Sequence, residues 1–130
     1  MKKILMLSLS ILVAVALAMP AIAARPAAPE GPMKMALTAK PVTFNHNTHT
    51  SVDCGVCHHA VNGEENYGKC GGAGCHDALG AKEKGTNSYY RIAHDKKVEN
   101  SCISCHTRTA GQDKDKKKAL TGCKGSACHP

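Results

Sequence analysis

The sequence is poor in the side chains that build protein cores. Tryptophan is absent, phenylalanine occurs once, and aromatic residues make up 3% of 130 positions. Beyond residue 23, Leu, Ile, Val and Phe number eleven: Leu37, Val42, Phe44, Val52, Val56, Val61, Leu79, Ile92, Val98, Ile103 and Leu120. That is about 10% of the segment, against the roughly 20% below which disorder is the default expectation. So little apolar surface cannot offset the conformational entropy lost in ordering the chain. A core made of side chains alone is therefore excluded. Disulfides, metals or a bound cofactor must take its place.

The one long apolar run lies at the N-terminus. Lys2 and Lys3 form a basic start, and Ile4 to Ala18 is apolar apart from Ser8 and Ser10. Pro20 and the small-residue site Ala21-Ile22-Ala23 follow, which reads as an export signal over 1–23. Ala24 gives a neighbouring cleavage point. Ile4 to Ala24 is just long enough to cross a bilayer, but Pro20 and the small-residue site favour cleavage over an anchor. No cysteine is present there to take a lipid. The expectation is a single domain over 24–130, exported to the periplasm.

All eight cysteines fall in that domain, in four pairs that each end in Cys-His. Two pairs read C-x-x-C-H: Cys54, Cys57, His58 and Cys102, Cys105, His106. Two have four residues between the cysteines: Cys70, Cys75, His76 and Cys123, Cys128, His129. C-x-x-C-H is the attachment signature of c-type haem. Two thiols add to the two vinyl groups of the porphyrin, and the imidazole that follows reaches the iron from one face. Residues i, i+3 and i+4 share one side of a helical turn, which suits this geometry. The longer inserts, Gly71-Gly72-Ala73-Gly74 and Lys124-Gly125-Ser126-Ala127, consist largely of residues that permit tight loops. A disulfide scaffold is the usual reading of eight cysteines in an exported chain, but it gives no reason for the histidine after every second one. Zinc would suit the two short pairs and not the two long ones.

Four further histidines remain: His46, His49, His59 and His94. They match four irons one for one, so bis-histidine ligation is expected throughout. Methionine is the usual rival axial ligand, and the domain has only Met33 and Met35, both before the first motif. His58 and His59 are adjacent and cannot easily serve opposite faces of one iron. If His59 serves a second iron, two haems hang from Cα atoms about 3.8 Å apart.

Regular structure should be sparse. The alternation Met33, Met35, Leu37, then Val42, Phe44, predicts a short hairpin turning near Ala39-Lys40-Pro41. Ser88 to Glu99 and Ala110 to Leu120 are candidate helices, with Ser88 as an N-cap. The fold class expected is a small α+β, mostly irregular one: a few short helices, a short N-terminal hairpin, and four haems as the core.

The sequence resembles the tetrahaem class III cytochromes c, the cytochrome c₃ family of sulfate-reducing bacteria. The resemblance is carried by Phe44-Asn45-His46 with His49, Cys54-Gly55-Val56-Cys57-His58-His59, the alternating long motifs, Tyr89-Tyr90 before His94-Asp95, and Leu120-Thr121-Gly122-Cys123. It implies a distal ligand for each haem: His46 opposite His58, His59 opposite His76, His49 opposite His106, and His94 opposite His129. It also implies that Phe44 sits between haems one and three. Spacing alone assigns none of these pairings.

By the same resemblance the chain would be a low-potential electron carrier rather than an enzyme. It would take electrons, with coupled protons, from a periplasmic hydrogenase and pass them to membrane-associated redox complexes in sulfate respiration. A monomer is expected, with no small-molecule substrate. A multihaem reductase of metal ions, sulfur or nitrite is the alternative, and would need an open iron. The formal charge of +7 falls to +5 once Lys2 and Lys3 are lost. Eight propionates and four ferric cores then bring it to about +1 oxidised and about −3 reduced. Lys114, Lys116, Lys117, Lys118 and Lys124 flank the fourth motif and form a candidate docking patch for acidic partners. Nucleic acid is a poor partner for an exported chain with no binding motif.

Overall fold

The structure is a computed structural model that describes residues 25–37, 40–80, 83–123, 125–126 and 128–129. The export signal expected over 1–23 lies outside them. Two strands open the described chain: β1 (Pro32–Met35) and β2 (Val42–Asn45). They pair antiparallel with Met33 opposite Phe44 and Met35 opposite Val42. Alternate residues of a strand share a face, so these four apolar side chains form the inner side of the hairpin, while Lys34 and Thr43 face out. The expected turn at Ala39 falls partly outside the described residues.

β2 runs directly into a 3₁₀ turn, His46–Thr48, started by the Asn45 side chain accepting from the Asn47 amide at 3.0 Å. The first short motif is a single helical turn, α1 (Cys54–Cys57), capped by Asp53. A tight hairpin then joins the first two motifs. Val61 bridges Glu64, and Asn62 and Gly63 both have positive φ, 54° and 85°, as a two-residue type I′ turn requires.

Three helices complete the fold: α2 (Tyr89–His94), α3 (Cys102–Ala110) and α4 (Lys114–Thr121). Each begins at a side-chain cap: Ser88 on the Arg91 amide, Ser101 on the Ser104 amide, and Asp113 on the Lys116 amide. Such caps satisfy amides that the first turn leaves unpaired. α3 packs against both of the others.

Two helices differ from expectation. The one starting at Ser88 stops at His94 instead of Glu99, because Asp95 is extended (φ −80°, ψ 109°) and its side chain takes the Lys97 amide at 2.9 Å. The last begins at Lys114 rather than Ala110, because Ala110 ends α3 and Gly111 (φ 56°) breaks the chain between them.

The core is as thin as the composition requires. Among the described residues only Tyr89 and Ala110 are buried apolar side chains. Leu37, Leu79 and Tyr90 remain exposed at 42%, 53% and 43%.

Candidate functional site

None of the eight cysteines is in a disulfide. In the first motif the His58 amide donates to the Cys54 carbonyl at 2.8 Å. In the first long motif the His76 amide makes the same return to the Cys70 carbonyl, at 3.0 Å. The two extra residues are looped out between them by turns at Lys69–Gly72 and Gly72–Cys75, with Gly74 at φ +78°. Glycine adopts that angle without steric cost, which is why the long insert can end with cysteine and histidine placed as in a short one. The third motif lies in α3, so Cys105 and His106 follow Cys102 by one helical turn and share its side of the helix. In the fourth, the buried Ser126 hydroxyl accepts from the Cys128 and His129 amides at 3.3 and 3.4 Å.

The histidines meet in four pairs, each joining one Cys-His histidine to one of the other four. Ring centroids are 6.4 Å apart for His46 and His58, 6.1 Å for His49 and His106, 5.9 Å for His59 and His76, and 6.1 Å for His94 and His129. Metal–nitrogen bonds of about 2 Å on opposite sides of one metal, plus the offset of each nitrogen from its ring centre, bring two imidazole centroids to about 6 Å. The spacing fits an iron between each pair.

Backbone carbonyls orient most of these rings. Nδ1 of His49, His59, His76, His94 and His106 lies 2.8–3.1 Å from the carbonyl oxygens of Asn45, Ala60, Thr86, Tyr90 and Leu120 respectively. A carbonyl only accepts, so Nδ1 carries the proton and Nε2 is left as the metal-binding lone pair. His46 and His129 differ: their Nδ1 atoms are buried with no hydrogen-bond partner.

Aromatic rings pack against several of these histidines. Phe44 lies 4.9 Å from His46 and 4.7 Å from His49, centroid to centroid, and so touches one histidine from each of two pairs. The 3₁₀ turn makes this natural, since side chains three apart eclipse in it. Tyr67 packs on His58 at 5.5 Å, and Tyr90 stacks on His94 at 4.3 Å.

Desolvation pushes the Cys57, Cys70, Cys102 and Cys128 thiols up from their ordinary value, Cys102 to about 11. Cys102 is also pushed up by Cys128, Cys57 and Cys70, thiols of the other three motifs. Free thiols in these positions remain protonated at neutral pH. Of the lysines, Lys114, Lys116, Lys117 and Lys118 lie exposed on α4, and Lys124 falls outside the described residues.

Residues 21–129 match the model of the class III cytochrome c family. The chain belongs to this family. It is 56% identical over 117 residues to a cytochrome c3 of Nitratidesulfovibrio vulgaris, covering 89% of this chain and 90% of that one. A cytochrome c3 of Desulfovibrio desulfuricans is 38% identical over 101 residues, covering 78% and 89%. The oxidised structure of a Desulfovibrio desulfuricans cytochrome c3 superposes with a TM-score of 0.76 at 44% identity, covering 82% of this chain and all of that one. The small irregular fold with few helices and one two-stranded sheet is thus that of the class III cytochromes c. With the family come four haem c groups, and the chain is a multihaem electron carrier.

Two features of the site leave no pattern in the sequence. The carbonyl acceptors of the Nδ1 atoms have no side-chain signature. The Arg25–Glu65 ion pair joins residues 40 apart in the sequence.

Proposed function

We propose that this class III cytochrome c is a periplasmic, low-potential carrier whose four haems are each held by two histidines. It would pass electrons, with coupled protons, from a hydrogenase to membrane redox complexes in sulfate respiration. The observation that carries this reading is the set of four imidazole pairs, all spaced 5.9–6.4 Å. Cys54 and Cys57 with His58 and His46 would hold the first haem, and Cys70 and Cys75 with His76 and His59 the second. Cys102 and Cys105 with His106 and His49 would hold the third, and Cys123 and Cys128 with His129 and His94 the fourth.

Each haem, when bound, supplies a one-electron iron couple. The chain's own residues account for the rest. Two histidines would hold each haem iron, leaving no position open for a substrate. Imidazole donors lower the potential relative to a methionine ligand, and Nδ1–H bonds to carbonyls make the imidazoles better donors still. Adjacent His58 and His59 belong to different pairs and would keep the first two haems close. The exposed lysines of α4 lie on the helix that leads into Cys123, where they would draw an acidic partner toward the fourth haem.

Carbon monoxide separates the carrier from a reductase. The ferrous protein should show no spectral change under the gas. Binding at even one haem would reveal an open iron and favour reduction of a metal ion, sulfur or nitrite.

A further inference from the structure

We propose that Arg25 is a positioning residue for the first haem, acting through Glu65 and Tyr67 on the ring of His58. The N-terminal arm carries Arg25 back over the segment that holds the first motif. Its Nη2 donates to Glu65 Oε1 at 3.4 Å, and its Nη1 lies 3.9 Å from Asp53 Oδ2. Both carboxylates have a second partner. Asp53 caps α1 by accepting from the Gly55 amide at 2.8 Å, which fixes the turn bearing Cys54 and Cys57. Glu65 Oε2 accepts from the Tyr67 hydroxyl at 2.7 Å, and the Tyr67 ring lies 5.5 Å from His58, tilted 43°. A path of contacts therefore runs from a cation in the arm, through a carboxylate and a phenol, to an imidazole of the first pair.

This path has two consequences, both centred on the first haem. Arg25 balances two carboxylates that would otherwise stand uncompensated beside it, and unbalanced negative charge disfavours the reduced iron. The same guanidinium holds Glu65 where it can fix the Tyr67 ring. All of these groups are largely exposed, with the Arg25 side chain 54% accessible. Exposed ion pairs add little to stability, so the effect belongs to the haem's environment rather than to folding. Salt should weaken it.

The inference rests on the four-haem, bis-histidine reading, and the test separates the two. Mass spectrometry of the full-length holoprotein counts the haems, and carbon monoxide tests their ligation in the parent chain. Haem-resolved NMR redox titration then compares Arg25→Gln, Arg25→Lys and Glu65→Gln at low and high salt. Arg25→Gln should lower the potential of the first haem more than that of any other, with the shift shrinking in high salt and Arg25→Lys restoring most of it. Glu65→Gln should raise the same potential and weaken the Tyr67–His58 nuclear Overhauser contact. An unchanged first haem in both Arg25→Gln and Glu65→Gln, or an equal shift in all four haems, would overturn the proposal. A missing haem or a carbon monoxide adduct in the parent chain would instead overturn the reading beneath it.

Discussion

The rings of His94 and His129 lie within 2° of parallel, their centroids 6.1 Å apart. His46 and His58 are nearly as well aligned at 8°, and His49 and His106 at 22°, but His59 and His76 are crossed at 69°. Parallel imidazoles direct their π donation at one iron d orbital and split it from its partner. Crossed imidazoles act on both orbitals alike and leave them nearly degenerate, which makes the magnetic response more anisotropic. Electron paramagnetic resonance of the oxidised protein should therefore show three rhombic low-spin signals and one large-g feature, the latter from the second haem. Replacing His59 by Met should abolish the large-g feature. Its persistence in that variant would contradict the assignment.

The lysines of α4 give a kinetic prediction. Replacing Lys114, Lys116, Lys117 and Lys118 with Gln should slow reduction by a purified periplasmic hydrogenase by about tenfold at low ionic strength. The slope of rate against salt should flatten as well. Stopped-flow traces at several salt concentrations measure both. Unchanged rate and slope would place docking elsewhere.

The loop of the second motif gives a packing prediction. A Cβ built on Gly71 meets Leu37 Cδ1 and lies 3.0 Å from the Tyr89 ring. Tyr89 is buried and cannot move aside, whereas Leu37 is 42% exposed and can. Gly71→Ala should therefore cost about 1–2 kcal/mol of overpacking strain. Adding Leu37→Ala should recover only the smaller share. Urea unfolding of the two single variants and the double variant yields the coupling directly.

The Asp95 carboxyl titrates below its ordinary value of 3.8, chiefly through its bond from the Lys97 amide and then through Arg91, whose Nε donates to it at 2.9 Å. A lowered folded value means that the carboxylate form is the one the fold binds. Its contribution is present above pH 3.8 and is lost as pH falls through the lower folded value. Asp95→Asn should thus melt below the parent at neutral pH, with the gap closing under pH 3.8. A gap constant down to strong acid would mean that the carboxylate charge plays no part.

The sequence revealed the attachment chemistry because covalent haem binding imposes a local spacing that any reader can see. Ser88 was legible as a cap for the same reason: the cap and the amide it bonds are three residues apart. Distances set by the tertiary fold were not legible. His46 and His49 sit in one turn, yet their rings face His58 and His106, 12 and 57 positions away. The length of α2 was also hidden, because the polar run after His94 can continue a helix in isolation. Here the Asp95 side chain captures a backbone amide and ends it.

The thinness of the core carries a consequence for how the molecule is made. Among the described residues, two small patches around Tyr89 and Ala110 are all the apolar interior that side chains supply. Most of the driving force for compaction must then arrive with the porphyrins, one covalent addition at a time. Maturation and folding become one process, and loading becomes its own inspection. A chain one haem short would keep a segment loose enough for a protease to cut, so only the fully wired molecule would last.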